Sequence, residues 1–447
     1  MNKSPLSQVD LIREAFFYQS RFEGSTMVFK IDFPVTEDPG FPYLMKDLAL
    51  LAKNRFHLVI VPGAKEWIDS VLREYGIVSR YVGQTRLTTA AAIPFVEMAA
   101  FHVATRFMTC LSASQVDAAI GNFIRARGLG VVDGLDMEHT GTVEKILTGS
   151  IGKVLSQGMV PILPCIGYSP AGKAYNVPSD EIALAASKAL GAGKLFIVSV
   201  HEGLRAGAWA VPEDFEVAEN GRILRLTPQE AEAVLTANRG LASGLMAASE
   251  ERPLQELDLA LRASRAGVER VHIIDGREEG AVLKELFSNL GAGTMVYADE
   301  YESIRNLHSR DLPDILRLME PLMRQGILVR RGAEQIREKK DDYVVYEIDG
   351  SVHACGALHL WGENQGEIAA VATDPLYADM GLGRRIVGYL IGRAKKTGLS
   401  RVFVLTAHTQ DWFEFLGFRE CPVESLPEKR RKIYDQIRKS KVFALDL

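Results

Sequence analysis

The segment GEIAAVATDPLYADMGLGRRIVGYLIGRAKKTGLSRVFVLTAH, residues 366–408, decides how the C-terminal part of the chain folds. Its first apolar run ends at Thr373 and its last, RVFVLT, ends at Thr406, so each run predicts a buried strand. Apolar residues between the two runs recur with helical spacing over residues 386–391. The segment therefore predicts a strand, a turn, a helix that begins at Arg384, and a second strand.

The turn before that helix has the composition of an anion-binding loop. It contains Met380, Gly381, Leu382 and Gly383, followed directly by Arg384. Two closely spaced glycines at a helix entrance let backbone N–H groups converge on an anion, and the helix N-terminus adds about half a positive charge. A pyrophosphate is a natural ligand for such a loop. By itself, a lone G-x-G more often marks an ordinary strand-to-helix turn.

The sequence before this segment predicts further elements of the same domain. Residues 342–362, DYVVYEIDGSVHACGALHLWG, alternate like two antiparallel strands that meet at an Asp349-Gly350 turn. Residues 309–314, SRDLPD, combine a capping residue with early acids and predict the start of a helix. Together these elements predict a C-terminal α/β domain over residues 304–447.

The N-terminal part of the chain has a different pattern, in which short apolar runs alternate with longer amphipathic segments. The runs at residues 26–31 and 57–61 are β-branched and apolar, as in buried parallel strands. The order strand, helix, strand returns over residues 160–200, where Ser179 is a suitable N-cap for the helix. Such alternation predicts an α/β domain with a largely parallel sheet over residues 1–297.

The composition argues against two broad classes of protein. The 447 residues are 47% apolar and 24% charged, which is ordinary for a globular protein that buries full cores. With 52 basic against 57 acidic side chains the net charge is −5, and we expect no nucleic-acid partner. The best candidate for a membrane span, residues 90–108, contains Glu97, His102 and Arg106, so we also expect no membrane partner.

The cysteines and the N-terminal residues indicate a cytoplasmic protein. The four cysteines stand alone without a C-x-x-C pair, which predicts reduced thiols rather than a disulfide or zinc framework. The first residues, MNKSPLSQVDLIREAFF, have no apolar signal core before Asp10. We therefore expect a cytoplasmic location and no metal site.

The glycine turn and its surroundings resemble the acetyl-CoA-binding core of the GNAT acetyltransferases. The signature of that family is Arg or Gln, two residues, Gly, one residue, then Gly or Ala; Gly381 and Gly383 match it, and Ala378 stands at its first position. Residues 402–447 look like the C-terminus of the bacterial N-acetylglutamate synthases, and GILVRRGAEQI, residues 326–336, looks like the entrance to their glutamate site. The N-terminal domain is similar to the amino-acid kinase domain of that family. The chain is thus identified as a member of its two-domain bacterial type.

This resemblance implies both a fold and an activity. The fold would be an amino-acid kinase-like parallel-sheet sandwich followed by a GNAT α/β domain. The activity would be that of an acetyl-CoA:L-glutamate N-acetyltransferase, which makes N-acetyl-L-glutamate in the first step of arginine biosynthesis. Acetyl-CoA would be a co-substrate, with no tightly bound cofactor, and L-arginine would be a feedback effector. We also expect a homo-oligomer.

Two residues match the catalytic positions of the family. Acetyl transfer needs a neutral amine, so a base must remove a proton from the α-ammonium group of glutamate. Glu367 matches the family's base, which would act through water; Thr406 matches a Ser or Thr that protonates the departing thiolate or only positions the sulfur. By position alone, Glu367 would be an exposed carboxylate at a strand end and Thr406 an ordinary β-branched strand residue.

The ligand-binding positions also follow from the resemblance. The acetyl-CoA cradle, with the backbone that polarises the thioester carbonyl, would comprise Val371, Met380, Gly381, Leu382, Gly383 and Arg384. The glutamate site would comprise Leu328, Arg330, Arg438 and Ser440. Arginine suits this role because a guanidinium pairs with a carboxylate through two parallel hydrogen bonds. The basic run around Arg438, EKRRKIYDQIRKSK, would otherwise be a solvated helix face.

The kinase-like domain differs from active amino-acid kinases where they bind phosphate. Active members end the first strand with Lys-x-Gly-Gly, whereas here Lys30 is followed by Ile-Asp-Phe at residues 31–33, and an aspartate repels phosphate. The second glycine turn reads Val-Pro-Gly-Ala at residues 61–64. Other positions of the kinase site are kept, namely Arg86, Asn176 and Asp180. We expect a kinase fold without phosphoryl transfer.

The same domain resembles the arginine sensor of the family's arginine-sensitive members. The segment IREAFFYQSRFEGST resembles their N-terminal element and places Tyr18 at the effector site, with Glu285 and Gly291 on the opposite wall. Without the resemblance, Tyr18 would be a helix-packing residue and Glu285 a surface acid. Two alternatives stay open at this point. One is an enzyme that is also an N-acetylglutamate kinase, and the other is an arginine-binding regulatory protein with an inactive transferase half.

Overall fold

The computed structural model of the chain describes residues 22, 24–211, 217, 221–238, 248–287, 292–298, 302–348, 350–362, 364–375, 377, 381–436, 438 and 440–447. They divide into two units, one within Ser7–Asp299 and one within Glu300–Leu447. Within the ranges given, no helix is long and apolar enough to cross a membrane. Among the predicted site residues, Tyr18, Gly291 and Met380 lie outside the described residues.

The N-terminal unit is built on a mostly parallel sheet. The strands of the unit are β1 (Thr26–Ile31), β2 (His57–Pro62), β3 (Arg80–Val82), β4 (Thr85–Leu87), β5 (Ala118–Ile120), β6 (Ile124–Gly128), β7 (Val131–Val132), β8 (Leu135–Asp136), β9 (Gly141–Ile146), β10 (Val160–Ile162), β11 (Ile166–Tyr168), β12 (Ala174–Asn176), β13 (Lys194–Ser199), β14 (Arg225–Leu226), β15 (Arg270–Asp275) and β16 (Thr294–Tyr297). The main sheet has the order β14-β16-β15-β13-β1-β2-β10-β5. Its central strand β1 is parallel to both β2 and β13 and is buried from its second residue onward. The predicted parallel sheet is confirmed.

Helices cover this sheet, and a smaller sheet with the order β12-β11-β6-β9 lies in the same unit. The helices are α1 (Phe33–Thr36), α2 (Phe41–Lys53), α3 (Lys65–Glu74), α4 (Ile93–Ala113), α5 (Thr148–Ser156), α6 (Ser179–Ala189), α7 (Pro228–Asn238), α8 (Ala248–Arg265) and α9 (Ala281–Phe287). The prediction of Ser179 as an N-cap is wrong, because Ser179 is already helical and Pro178 is the N-cap. The Pro178 carbonyl accepts the Ile182 N–H at 3.1 Å, which closes the first helical turn one residue earlier than predicted.

The C-terminal unit contains one mixed sheet with the order β17-β18-β19-β20-β21-β23-β22. Its strands are β17 (Glu302–Asn306), β18 (Tyr343–Ile348), β19 (Ser351–Gly362), β20 (Gln365–Thr373), β21 (Arg401–Thr406), β22 (Arg419–Cys421) and β23 (Lys441–Asp446), and its helices are α10 (Leu312–Arg324), α11 (Ala333–Glu338), α12 (Leu382–Lys396), α13 (Gln410–Phe415) and α14 (Glu428–Arg431). As predicted, β18 and β19 are antiparallel, and Ile348 pairs with Ser351 across the turn.

The parallel strands β20 and β21 separate soon after they begin to pair. Their ladder joins Gln365–Glu367 to Arg401–Phe403 and extends no further. Beyond this ladder, β20 continues to Thr373 and β21 to Thr406, and these described residues of the two strands do not pair with each other. The fold thereby opens a cleft in the middle of its own sheet.

A bulge in β20 lies beside this cleft. Ala372 pairs with Cys355 and Ala369 with Ala357, so two residues of β20 lie opposite the single residue Gly356 of β19. Ala370 in the bulge has a φ of +54°, a value that is unusual for a residue other than glycine. Bulges bend a strand and often occur next to active sites. The bulge therefore contributes to the bend that takes β20 away from β21.

Helix α12 packs closely over β19 and begins where the glycine turn ends. It begins at Leu382, two residues before the predicted start at Arg384, and its N-cap Gly381 has a left-handed φ of +64°. A glycine adopts this conformation at little cost. A Cβ added at Gly356 would lie 2.6 Å from Ile386 Cγ2, so the helix approaches the strand through a position without a side chain.

We expect Gly356→Ala to lower the free energy of unfolding by about 1–3 kcal/mol, because the added methyl group overpacks the contact between α12 and β19. Gly392→Ala is the matched control. A Cβ at Gly392 meets nothing within 4 Å, and alanine is the better helix former, so this change should be neutral or stabilising. Chemical denaturation of both variants measures the difference. Equal stabilities would contradict the close approach of α12.

Candidate active site

A cavity of about 280 Å³ occupies the cleft between β20 and β21. One wall is the stretch from Ile368 to Val371, and the other runs from Val404 to Thr406. The glycine turn with the start of α12 lines it, as do Ile327 and Leu328. Six of the residues predicted from the sequence line this cavity together: Leu328, Val371, Gly381, Gly383, Arg384 and Thr406.

The entrance of α12 is shaped to admit a ligand close to the backbone. A Cβ at Gly383 would lie 3.3 Å from Trp412 Cζ2, so a larger residue would crowd the cavity from the helix side. Leu382 is buried, and its side chain is not part of the cavity lining. A 15-residue helix that begins at the cavity directs its positive end there, which favours an anionic group.

Thr406 is held by its neighbours so that its hydroxyl group has a defined role. Its Oγ1 accepts the N–H of Thr409 at 3.0 Å and the N–H of His408 at 3.3 Å. Oγ1 also lies 2.8 Å from Oγ1 of Thr409, in a hydrogen bond that either hydroxyl can donate. A hydroxyl oxygen has two acceptor sites and one proton to donate. With both acceptor sites occupied, the Thr406 proton is the part left for a ligand or for Thr409.

Glu367 lies at the last ladder pair before the strands separate. It is buried, so the interpretation as an exposed strand-end carboxylate is wrong. Arg430 donates to it through Nε at 2.7 Å and through a terminal nitrogen at 3.1 Å, and Trp361 Nε1 donates at 2.8 Å. Glu367 does not line the cavity itself, whereas the next residue, Ile368, does.

Of the four predicted glutamate-site residues, Leu328 lines the cavity and Arg330, Arg438 and Ser440 do not. Arg438 donates to the carbonyl of Ile327, which lines the cavity, and Ser440 is buried. Arg330 is exposed. Burial lowers the pKa of Arg438; the nearby carboxylate of Asp435 opposes this shift, and the weaker effect of the Arg331 charge adds to it. Two arginines and one carboxylate therefore lie near one another beside the end of the cavity that Leu328 lines.

Sequence reasoning missed four residues that the structure places at the site: Trp361, Thr409, Arg331 and Arg430. Of these four, Arg430 belongs to the basic run EKRRKIYDQIRKSK, and a solvated helix face already explained that run. The others follow from contacts that no local pattern encodes. The hydrogen bonds of Arg430 and Trp361 to Glu367 depend on strand register and on the path of the C-terminal segment.

In the N-terminal unit, an ion cluster lies at the end of β1, where the resemblance predicts the altered phosphate site. Lys30 is fully buried and pairs with Asp32 and, at 3.0 Å, with Asp180. Arg252 of α8 donates to Asp32 at 2.9 Å and to Asp180 at 3.1 Å, and lies 3.3 Å from Glu256. Burial raises the pKa of Glu256 to about 7. Although burial acts in the opposite direction, Lys30 and Arg252 lower the pKa of Asp180.

Two cations therefore face three carboxylates in this cluster, which leaves no net positive charge for a phosphate group. The residues next to it close the space as well. Phe33 stacks on Trp67 with ring centroids 5.6 Å apart, and a Cβ at Gly63 would lie 2.8 Å from Asp32 Oδ1. Asp32, which the sequence predicts to repel phosphate, is thus paired with Lys30 and with Arg252 of the distant helix α8.

The other kept kinase positions are engaged in internal hydrogen bonds. Arg86 is buried, and it donates to Ser79 Oγ at 2.7 Å, to the Lys65 carbonyl at 3.0 Å and to Asp69. Asn176 Nδ2 donates to Thr88 Oγ1 at 3.0 Å. Both side chains thereby contribute to the packing of the unit.

Glu285 lies inside the N-terminal unit, so its interpretation as a surface acid is wrong. It accepts a hydrogen bond from Nδ1 of His272 at 2.7 Å and another from the N–H of Ala292. Burial lowers the pKa of His272 to about 4, so the imidazole is neutral at physiological pH and its Nδ1 carries the donated proton. Although burial opposes it, the His272 hydrogen bond lowers the pKa of Glu285, which stays ionised. Both oxygens of this ionised carboxylate are thus held by partners within the unit.

Comparison with known proteins places these two units in known families. Residues 34–275 match the amino acid kinase family, and residues 301–418 match the acetyltransferase (GNAT) family. The chain is 32% identical over 446 residues to the amino-acid acetyltransferase of Pseudomonas putida, covering 97% of this chain and 98% of that protein. The chain belongs to the amino-acid acetyltransferase family. It is an amino-acid N-acetyltransferase, and the predicted fold class and family resemblance are confirmed.

Other relatives and solved structures of this family agree. The amino-acid acetyltransferase of Pseudomonas paraeruginosa is 33% identical over 450 residues, with 98% of this chain and 99% of that protein covered. The N-acetylglutamate synthase of Neisseria gonorrhoeae, in complex with coenzyme A and L-arginine, superimposes with a TM-score of 0.81 at 31% identity, and 99% of each chain is covered. A complex of the same protein with coenzyme A and N-acetyl-glutamate gives a TM-score of 0.60 at 33% identity over 99% of each chain.

We expect the purified acetyltransferase to form no ADP from ATP, Mg²⁺ and N-acetylglutamate, because its ion cluster leaves no cation free for phosphate transfer. A coupled assay for ADP, at protein concentrations that give strong acetyl transfer, checks this expectation. Asp180→Asn serves as the control, because an ADP signal that persists in this variant comes from a contaminant. ADP formation that depends on N-acetylglutamate and disappears in the control would show a working kinase.

Proposed function

We propose that the chain transfers the acetyl group of acetyl-CoA to the α-amino group of L-glutamate, and that L-arginine regulates this transfer from the N-terminal unit. The observation that carries the proposal is the cleft between β20 and β21. One end of it is the glycine turn and the start of α12, which suits a pyrophosphate. Another end reaches Leu328 and the carbonyl held by Arg438, beside a second arginine, which suits a dicarboxylate.

In this proposal the thioester lies between the separated strands. The unpaired backbone edge of β20 beyond Glu367 offers N–H groups to a ligand without breaking any ladder with β21. The N–H groups near Val371 would polarise the thioester carbonyl, since fixed backbone donors stabilise the charge that develops on its oxygen. The bulge at Ala370 changes the direction of the backbone in this part of β20 and would help to direct these N–H groups at the thioester.

The chemical step needs a base and a route for the leaving group. Glu367 would accept a proton from the glutamate ammonium through a water molecule, since the carboxylate lies one residue from the cavity wall rather than in it. The neutral amine attacks the thioester carbonyl carbon and forms a tetrahedral intermediate. When this intermediate collapses, the C–S bond breaks and the thiolate of CoA leaves. Thr406, whose oxygen already accepts two backbone N–H groups, would donate its proton to the thiolate or position it.

Glutamate recognition would depend on cations at the far end of the cleft. We assign Arg330 and Arg438 to the two carboxylates, with Leu328 lining the cavity and Ser440 beside Arg438. Arg331 adds positive charge near Arg438. Arginine is suited to this role because its planar group forms two hydrogen bonds to one carboxylate.

Arginine binding would use the buried carboxylate of Glu285. A neutral His272 and the Ala292 N–H hold this carboxylate ionised, ready for a guanidinium group. Tyr18 and Gly291 would complete the site. We further propose a cytoplasmic location, consistent with four free cysteines among the described residues, and a homo-oligomer.

The substrate assignment is tested by the release of CoA from acetyl-CoA. With L-glutamate we expect rapid release, and with L-aspartate a rate lower by roughly tenfold or more, because a shorter acid cannot place both carboxylates and the amine at once. A thiol-reactive dye follows CoA directly. Equal kcat/KM values for the two acids would overturn the assignment of glutamate.

We expect Glu367→Gln to lower kcat by roughly 10²-fold or more at neutral pH, because the amine loses its general base. The loss should shrink as the pH rises, since more of the substrate amine is then already neutral. The matched control is Glu420→Gln, which changes an exposed carboxylate that pairs with Lys441 at 3.0 Å. A wild-type rate in Glu367→Gln would remove Glu367 from the mechanism.

We expect Glu285→Gln to raise the arginine concentration needed for half-maximal inhibition, because the guanidinium group loses its counter-charge. In the wild type, bound arginine should change the apparent affinity for glutamate or acetyl-CoA by roughly 5–150-fold, since the coupling free energy between two sites is typically about 1–3 kcal/mol. Glu278→Gln is the control, since Glu278 is a surface carboxylate that pairs with Lys284 at 2.9 Å. Calorimetry of the wild type without any heat of arginine binding would contradict the sensor.

A further inference from the structure

Arg430 holds the carboxylate of Glu367 by two hydrogen bonds at once. Its Nε donates to Oε2 at 2.7 Å and one terminal nitrogen donates to Oε1 at 3.1 Å. The side chains of Arg430 and Glu367 are only 14% and 7% exposed, so little water screens the pair. A two-point pair of this kind fixes the orientation of a carboxylate as well as its charge. An ion pair on the surface fixes the orientation and the charge of a carboxylate much less.

Trp361 provides a further donor to the Glu367 carboxylate. Its Nε1 donates to the same Oε2 atom at 2.8 Å. The guanidinium of Arg430 also lies over the Trp361 ring, 5.5 Å from its centroid, so the two donors support each other. Oε2 therefore has two donors, whereas Oε1 has only the one from Arg430 among the described side chains.

This arrangement leaves a defined place for a proton to arrive. An ionised carboxylate offers about four acceptor sites, two on each oxygen. With both sites of Oε2 in use, Oε1 keeps one site, and that site is fixed in space because the other atoms of the group cannot rotate. A water molecule between the substrate amine and Oε1 is the route that the proposed function requires.

The position of Arg430 comes from the core of the C-terminal unit. It lies on α14, the short helix that follows Leu426 and Pro427, and its N–H bonds to the Pro427 carbonyl at 2.9 Å. Leu426 belongs to a buried cluster with Phe403 of β21, and Trp361 packs against the same cluster. The segment between β22 and β23 thus carries a cation back to the point where β20 and β21 separate.

We propose that Arg430, assisted by the Trp361 N–H, is a positioning residue of the acetyl transfer, and that it fixes the Glu367 carboxylate so that Oε1 accepts the substrate's proton. This inference rests on the proposed role of Glu367 as the base. Arg430 itself does not touch the reacting atoms in this account. Its effect on the rate passes through Glu367.

A double-mutant cycle in kcat tests the inference. Arg430→Met should lower kcat by about 10–100-fold, the size of effect that a misplaced catalytic group produces, while the KM values for glutamate and acetyl-CoA change less than about threefold. In the Glu367→Gln background the same substitution should change kcat by less than about twofold, because no base is left to position. Arg430→Lys, which keeps the charge but offers no fork, should recover part of the rate.

The controls separate positioning from folding. Arg431→Met changes the exposed neighbour on the same helix, which donates to the Glu424 carbonyl at 3.2 Å, and should leave kcat unchanged. Trp361→Phe keeps an aromatic ring but removes the indole N–H, so it should lower kcat by a few-fold and also lose this effect in the Glu367→Gln background. If Arg430→Met fails to fold, the cycles with Arg430→Lys and Trp361→Phe decide the question.

Two results would overturn the inference. One is an equal loss of kcat in both backgrounds, which indicates a purely structural pair, and the other is a wild-type kcat in Arg430→Met. Either result leaves the proposed function intact as long as Glu367→Gln still loses its rate. A wild-type rate in Glu367→Gln would instead defeat the proposed base, and with it this inference.

Discussion

The early separation of two parallel strands is the constraint on which the rest of the transferase unit depends. β20 and β21 share a ladder only as far as Glu367 and Phe403, and the cavity begins at the next residue. Unpaired backbone groups buried in a sheet are costly, so a stable fold needs something to satisfy them. A ligand with amide and carbonyl groups of its own meets that need. The bulge at Ala370, the glycine turn and the close packing of α12 against Gly356 all keep the opening in place.

Carboxylates in both units are compensated by partners that are distant in sequence. The buried Glu367 is held by Arg430, and the partly buried Asp32 and Asp180 are held by Arg252. The outcome differs because the surroundings differ. At Glu367 only one donor among the described side chains reaches Oε1, and the cavity begins at the next residue, which suits the proposed catalysis. At Asp180 two cations face three carboxylates, so no net positive charge is left for a phosphate group.

Much of the fold followed from local sequence patterns, and much of the site did not. Apolar runs predicted β1, β2, β20 and β21, and the glycine turn predicted the entrance of a helix, because strand burial and helix starts depend on neighbouring residues. The start of α12 and the cap of α6 were misplaced by one or two residues, since Gly381 and Pro178 take cap conformations that spacing alone does not reveal. The ion pair of Arg252 with Asp32 joins residues 220 apart, and that of Arg430 with Glu367 joins residues 63 apart. Pairs of this kind depend on the tertiary fold. Burial of a charged side chain depends on it too, since Glu285 is buried and Arg330 is exposed.

The measurement that tests the central claim most directly is calorimetric titration of CoA into the wild type and into Ala369→Trp, with Leu360→Trp as the control. Ala369 lines the cleft between β20 and β21, and an indole there would fill much of its volume of about 280 Å³. Leu360 is 62% exposed on the neighbouring strand. The account predicts that the wild type and Leu360→Trp bind CoA with similar affinity and that Ala369→Trp loses binding while it keeps its fold. Undiminished binding by a folded Ala369→Trp would show that the separated strands are not where the cofactor lies.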